Sequence, residues 1–368
     1  GSPNQYRIDY DATAEAAGFT DISLTILGIS PIALTVPGGA GADVYNGTIY
    51  VKTTATGCES SGSAFTLTIS AEPAIWDGGG ADGKWTTVNN WSDNALPQST
   101  TNVTFYTGIG SGTNINVDSA QSTKGIVFNS TADTALNITN NALTLGDRGI
   151  SVDAGAAGAH VISAPIVLNA DQNWTNASSA DLTVNGAVSG SGTLTKKGTG
   201  RIILAGDNAY TAAMTIDAGT LRIQHANALG GTTAGTTVNN GGSLELNLAT
   251  TFATEALILN GQGPTSTEGA LRNISSGTTR WNGSITADSD ARIRIDAGTF
   301  QAGGNIAAGA NTLYVSNTTA FTMMSGATFT GNKTAGDGAI YKTGAGILTL
   351  RPASGLTGSI NLQEGEIR

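Results

Sequence analysis

Residues Leu194 to Arg222 read LTKKGTGRIILAGDNAYTAAMTIDAGTLR, and residues Ile340 to Arg368 read IYKTGAGILTLRPASGLTGSINLQEGEIR. The two stretches align without a gap at an offset of 146 residues. Gly198, Gly200, Leu204, Thr211, Ile216, Gly219 and Leu221 fall on Gly344, Gly346, Leu350, Thr357, Leu362, Gly365 and Ile367. Glycines and apolar positions held in one register mark stacked supersecondary units, each unable to bury its apolar face without a neighbour. Within each copy apolar residues alternate with small polar ones, as in Met214-Thr215-Ile216 and Leu221-Arg222-Ile223. Period two means strands with one buried face. The strand runs are short and are separated by corners rich in Gly, Asn, Asp and Thr, which supply positive φ angles and local side-chain hydrogen bonds. The pattern predicts parallel coils, each donating its strands to the next.

Composition points the same way. Charged residues make up 12% of the chain and glycine accounts for 51 of 368 residues, so a long thin core meets water mainly through Thr, Ser, Asn and Gly. Lys plus Arg number 17 against 27 for Asp plus Glu, a net charge of -10. Without a basic run interleaved with aromatics, the electrostatic footprint of nucleic-acid or anionic-membrane binding is missing. No apolar run approaches the ~18 residues that suggest a membrane-spanning helix. A single cysteine, Cys58, permits no intrachain disulfide, and it is expected to be half-buried at a strand or loop edge. The chain opens Gly-Ser-Pro and breaks off inside a repeat, so it reads as a piece of something longer.

The pattern GTLTKKGTGRIILAGDNAYTAAMTIDAGTLRI resembles the autotransporter-associated β-strand repeat of bacterial cell-surface and secreted passenger regions. The second copy departs at Pro352 and Ala353, where the family has Gly and Asn, and at Leu356 in place of Tyr210; its corner is expected to be altered and its strands kept. The segment IWDGGGADGKWTTVNNWSDNALPQSTTNVTF, Ile75 to Phe105, resembles the stretch that opens many such passengers. The resemblance implies an all-β chain with a right-handed parallel β-helix on the outside of a bacterium, and no catalytic residues. If each coil takes about 20 to 22 residues, the solenoid has roughly 13 to 14 coils and, at ~4.8 Å per coil, is on the order of 65 Å long.

Residues 1–72 have a different grammar. Tyr6–Tyr10, Ile22–Ile26, Ile32–Val36, Gly47–Val51 and Phe65–Ile69 alternate as closely spaced strands, punctuated by Pro31, Pro37-Gly38-Gly39 and Asn46-Gly47. That is the pattern of a small β-sandwich. The run from Ser30 to Ile69 resembles an immunoglobulin-like repeat of large surface proteins, especially those of Bacteroidetes. Residues 73–368 then form the solenoid domain, with the junction at Pro73, which cannot donate into a continuing ladder.

Candidate chemistry is sparse. Trp76, Trp85 and Trp91 cluster at the solenoid entry, where they are expected to cap an open apolar core, with a glycan platform as the competing reading. Trp174 and Trp281 are expected in the core or at a corner. The loop Asp77-Gly-Gly-Gly-Ala-Asp82-Gly83 is the weak calcium candidate, since Asp77, Asp82 and backbone carbonyls can supply oxygen ligands; no other cofactor is expected. Asp288 with Asp290, and Glu364 with Glu366, are the closest carboxylate pairs, but both lie in or beside repeat-like strands; beside Asp288 and Asp290, Arg292 and Arg294 suggest an exposed ion-pair ladder. His160 and His225 are too far apart in sequence for a local zinc pair and are expected at the surface or in corners. Gly198, Gly200, Gly219, Gly344, Gly346 and Gly365 are expected to be corners where the backbone needs positive φ or lies too close to the next coil for a Cβ atom. The reading is an extracellular structural or adhesive stalk that is not an enzyme. Its expected partners are other copies or domains of the same surface protein and host or environmental glycans. A carbohydrate-active enzyme and a self-assembling fibre subunit are the alternatives.

Overall fold

A computed structural model describes residues 4–27, 32, 34, 44–68, 73–80, 82–106, 113–334, 336, 338–350, 354–356 and 358–368. The chain divides into two compact units, Gly1–Glu72 and Pro73–Arg368.

In the first unit four antiparallel strands pair in the order Ile22–Ile26, Gln5–Tyr10, Val44–Lys52 and Ser63–Thr68. Most of the strand expected at Ile32–Val36, with Pro31 and Pro37-Gly38-Gly39, lies outside the described residues. The structure adds a helix, Ala12–Ala16, that the strand pattern does not announce. Its cause is local: Asp11 caps the first turn by accepting from the Ala14 N–H at 2.8 Å. Ala14 is thereby pressed into a small core with Ile8, Tyr10, Phe19 and Tyr45, in which the Phe19 ring lies 5.1 Å from Tyr10 and 5.0 Å from Tyr45. Cys58 is exposed in the turn between the last two strands of this sheet, not half-buried, because no strand of the sheet covers that turn.

The second unit is a parallel β-solenoid. One ladder starts at Asn114–Val117 and ends at Ile360–Leu362, twelve strands among the described residues, each hydrogen-bonded in parallel to the next. The chain therefore completes about eleven turns. That is fewer than 13 to 14, because coils vary in length: register partners are 19 residues apart at Arg201↔Thr220 and 27 apart at Leu244↔Leu271. The extra residues go into corner excursions, which lengthen the chain without adding height. A second ladder runs from Ala74–Trp76 through Leu194–Lys197 to Ser354–Leu356, and a third face closes as six strands from Thr251–Phe252 to Glu366–Ile367.

Alternation sets the core. In Leu182–Val184, Met214–Ile216 and Gly219–Ile223 every second residue is buried, and the buried set merges into one apolar column from Ala74 to Leu348. Trp174 and Trp281 belong to it, their indole N–H groups satisfied by Gln172 Oε1 at 2.9 Å and Glu255 O at 3.0 Å. Aromatic rings continue from coil to coil: Phe105 stacks on Phe128 at 5.4 Å, and Phe128 on His160 at 4.1 Å.

His160, expected at the surface or in a corner, is fully buried, while His225 sits half-buried at a corner, 3.7 Å from Asp207. Its place as third ring of an inward stack explains the difference. Its Nδ1 accepts from the Leu136 N–H at 3.4 Å, and burial pulls its pKa down from 6.5 to about 4. Between those values the unfolded chain binds a proton that the native imidazole refuses. The stabilising effect is whole above pH 6.5 and is lost as the pH falls toward 4, by roughly 3 kcal/mol. His160→Phe, which keeps a ring in the stack, should lose less stability than the parent between pH 7 and pH 4 in urea titrations; parallel losses would show that His160 does not govern this window.

Candidate functional site

The two sequence repeats fold into corners of the same build at two different edges of the solenoid, Leu194–Lys197 lying in the second ladder and Ile340–Thr343 in the first, and each corner contains a charge. Period two places Lys196 on the inward side of Leu194–Lys197 and Lys342 on the inward side of Ile340–Thr343, and both are buried. Lys196 Nζ donates to Gly198 O at 2.6 Å, Gly200 O at 2.5 Å and, in the next coil, Ala218 O at 2.7 Å. Lys342 Nζ donates to Thr343 O at 2.9 Å, Gly344 O at 2.5 Å and Glu364 O at 3.1 Å. Two of the three Lys196 acceptors, Gly198 and Ala218, correspond to the Lys342 acceptors Gly344 and Glu364 at the 146-residue offset. An ammonium has three N–H donors, and here each meets a backbone carbonyl that the corner turns out of the strand ladder. Burial pulls the Lys196 pKa down to about 7 and lowers that of Lys342.

An asparagine completes each corner from the coil before. Asn176 Nδ2 donates to Arg201 O at 2.8 Å, and Asn317 Nδ2 to Ile347 O at 3.0 Å, while their backbone carbonyls accept from Gly200 N at 2.8 Å and Gly346 N at 2.9 Å. Three coils are therefore tied at each edge by an Asn, a Lys and the glycines between them.

The six repeat glycines divide between two physical reasons. Gly198, Gly219, Gly344 and Gly365 have positive φ, +66° at Gly219 and +85° at Gly365. Gly200 and Gly346 do not, but a Cβ there would collide with the carbonyl oxygens of Ser178 and Thr319 in the coil before. At Gly219 both reasons apply, since a Cβ would stand 2.5 Å from Gly198 O, itself an acceptor of Lys196. Pro352 and Ala353, where the second copy's corner is expected to be altered, are outside the described residues, and the third departure, Leu356, ends the strand Ser354–Leu356, which pairs in parallel with Phe329–Gly331.

Trp76, Trp85 and Trp91 meet at the first rung of the solenoid and are at most 1% exposed. Ala74–Trp76 pairs with Asn102–Phe105 above it, and the chain then doubles back so that Trp91 bridges Trp76 in antiparallel fashion. The rings pack edge to face, Trp76 on Trp91 and Trp85 on Trp91, both at 5.0 Å, and the Trp91 indole N–H donates to Trp85 O at 2.8 Å. No indole face remains for a ligand to stack on. The loop holding these rings is knotted by Asn90, which accepts from Gly80 N at 2.8 Å and donates to Asp82 Oδ1 and Lys84 O at 2.9 Å each.

Both carboxylates of the calcium candidate are engaged in that loop. Asp82 accepts from Thr87 Oγ1 at 2.7 Å, Lys84 N and Asn90 Nδ2, and the Thr87 hydroxyl above all holds its pKa below the usual carboxylate range. Asp77 accepts from Gly79 N at 3.0 Å. Among the described residues no three His, Cys, Asp or Glu side chains gather as a metal-ligand group.

Asp288 and Asp290 lie within one strand, Ile285–Ile295, at the point where it passes from one ladder to the next. Asp290 accepts from Thr312 N at 2.7 Å and faces Lys333 Nζ at 3.3 Å. Glu366 pairs with Arg368 at 2.7 Å, and the Glu364 backbone carbonyl serves Lys342. The exposed ladder expected of Asp288 and Asp290 with Arg292 and Arg294 is replaced by another: Arg292 bonds Gln262, Arg294 and Arg272 both reach Asp296 at 2.6 Å, and the buried Glu245 receives Arg222 at 2.6 Å and Arg272 at 3.1 Å. Two groups that period and repeat could have revealed, Lys196 and Lys342, lie in this unit's most elaborate polar arrangement. The identity of Lys196 and Lys342 at the repeat offset was the available signal.

Residues 194–223 and 340–368, the two segments that build these corners, match the passenger-associated-transport-repeat family. Over 158 residues the chain is 32% identical to a protein named adhesin BmaC autotransporter, from Brucella suis biovar 1 (strain 1330). That match covers 41% of this chain and 4% of the adhesin, so the chain spans a small fraction of its relative's length. No solved structure matches the chain.

Gly219→Val puts a β-branched side chain at positive φ against Gly198 O and should lower stability by about 2 to 4 kcal/mol. Thr220→Val next to it, on the half-exposed outward side, should change stability by less than about 0.5 kcal/mol. Urea midpoints compare the two; equal midpoints would remove the structural role of the corner glycine.

Proposed function

We propose that the chain is an adhesive and structural segment of a bacterial surface protein, a stiff solenoid carried outside the cell. The observation that carries this reading is the coincidence of two passenger-type repeats with one repeated three-coil corner, on a chain that also resembles an autotransporter adhesin. A solenoid whose core runs unbroken from coil to coil resists bending and offers proteases little unpaired backbone, which suits a part that projects from a surface. The Trp76, Trp85 and Trp91 layer serves as the cap of the first rung, shielding the end of the apolar column. Residues 1–72 act as an immunoglobulin-like spacer module, a reading supported by the four-stranded antiparallel sheet. The protein works without catalysis and without a bound metal: the carboxylates of the candidate pairs are engaged by backbone, lysine or arginine partners or stand on repeat strands.

Beads coated with residues 1–368 should adhere to cultured epithelial monolayers several-fold better than albumin-coated beads, and the soluble chain should release no reducing ends or unsaturated products from common polysaccharides. Adhesion equal to albumin, or product release lost on changing Asp288 or Asp290, would overturn the reading.

A further inference from the structure

On one flank of the solenoid three successive coils border a shallow, open groove of about 710 Å³, lined by Asn239, Asn240, Asn260, Gly261, Ser289 and Asp290. Every side chain in that lining is polar. The exposed Asn240 amide has no hydrogen-bond partner among the described residues. Asn239 Nδ2 is held by Asp217 Oδ1 at 2.7 Å, and Asn260 Nδ2 by Val238 O at 3.3 Å, which fixes both amides by their nitrogens and leaves their oxygens as acceptors. Ser289 Oγ accepts from Gly261 N at 3.0 Å. Gly261 itself has a φ of +73°, and a Cβ there would run into the Asn240 amide oxygen, so glycine keeps the groove floor open.

The groove leads onto an aromatic and cationic column. Two residues beyond Asp290 on the same strand, Arg292 stands in register with Tyr314 and, one coil further, Tyr341. The Arg292 guanidinium lies 5.1 Å from the Tyr314 ring centroid, and the two tyrosine rings are 5.5 Å apart. The hydrogen-bond partner of Arg292 is neutral: Gln262 Oε1 accepts from Nε at 3.2 Å and from Nη2 at 2.8 Å. The charge of Asp290, by contrast, is answered by Lys333. The flank therefore combines pre-set amide acceptors, an unpartnered amide, two half-buried tyrosines about one coil apart and a cation whose hydrogen-bond partner among the described residues is uncharged.

We propose that this groove binds a linear saccharide bearing carboxylates, with its hydroxyl groups on Asn240, Asn260 and Asp290, and a uronate carboxylate at Arg292 beside the tyrosines. Polyhydroxylated rings need many small polar contacts and some aromatic surface to pack beside; the groove supplies the first, and the half-buried Tyr314 and Tyr341 side chains the second. A peptide would need an apolar pocket for a side chain, which this lining does not contain. The spacing of coils, ~4.8 Å, repeats the contacts along the solenoid axis and suits a polymer more than a single sugar. The inference rests on the adhesive reading and names the chemistry of its partner.

The test is binding of the full chain to a printed panel of oligosaccharides, uronate-containing and neutral, compared across the parent, Asn240→Ala, Arg292→Met and, as a control on a separate surface cleft, Ser179→Ala. The parent should retain at least one uronate-containing oligosaccharide. Asn240→Ala and Arg292→Met should each weaken it at least tenfold with unchanged urea midpoints, and Ser179→Ala should bind as the parent does. Asn240 is exposed and unpartnered, so that variant reports on binding even if Arg292→Met unfolds. No retention of any uronate-containing member, or undiminished binding by Asn240→Ala, would overturn the proposal. Bead adhesion measured in parallel separates the two levels: normal adhesion with an idle groove removes this inference alone, whereas parent beads that do not adhere remove the adhesive reading.

Discussion

A parallel solenoid must change direction several times in each coil, and at every change some backbone carbonyls leave the ladder without a strand N–H to receive. In this protein the most demanding corner solves that constraint with a buried lysine. Lys196 and Lys342 each direct one ammonium at three carbonyls drawn from their own coil and the next. An unsatisfied buried carbonyl costs about 1–3 kcal/mol, so the corner cannot close around apolar side chains alone. The charge is accepted in the core because its donors are all used, and burial still holds the Lys196 pKa near 7. Asn176, Asn273 and Asn317 perform the neutral version of the same task, Asn176 at the edge that holds Lys196 and Asn273 and Asn317 at the edge that holds Lys342, the amide of Asn273 reaching Ala297 O at 2.8 Å.

The glycines follow from the lysines. A carbonyl cluster tight enough to be served by one nitrogen brings the backbones of neighbouring coils close together, and Gly219 and Gly365 sit where a Cβ would stand 2.7 to 2.8 Å from the lysine nitrogen itself. Outside these corners, coils are free to lengthen. The excursions between Leu246 and Leu271 and between Asn317 and Ile340 leave the ladder register intact, and one of them carries Gln262 to Arg292 and Gly261 to the floor of the flank groove. Fixed corners and variable excursions let one scaffold keep its core while its surface chemistry changes.

The parallel solenoid was legible because two signals coincide in the quoted repeats: alternation gives strands, and self-similarity at 146 residues gives stacking. What escaped the sequence did so for physical reasons. Lys196 occupies a core-facing position, but its charge class suggests solvent, and only the three carbonyls make burial tolerable. His160 reads as a polar residue until it is seen as a third ring after Phe105 and Phe128. The helix at Ala12–Ala16 hangs on one capping side chain, Asp11. The flank groove gathers Asn239, Asn260 and Asp290, residues from three different coils, and register offsets that vary from 19 residues at Arg201↔Thr220 to 29 at Thr251↔Arg280 hide that juxtaposition. Trp76, Trp85 and Trp91 could be located from sequence as a cluster, whereas their complete burial required the reversal of the chain that brings Trp91 back onto Trp76.

The central claim is that inward lysines hold the corners through backbone carbonyls, and Lys196→Met tests it most directly. Methionine fills similar volume without a charge, so it removes the desolvation cost along with the hydrogen bonds. If the ammonium served only as a buried charge, the substitution would be neutral or stabilising, as replacement of buried ions by apolar groups often is. If three carbonyls depend on it, urea unfolding at pH 6 should show a loss of at least about 3 kcal/mol. An unchanged or higher urea midpoint for Lys196→Met would contradict the account.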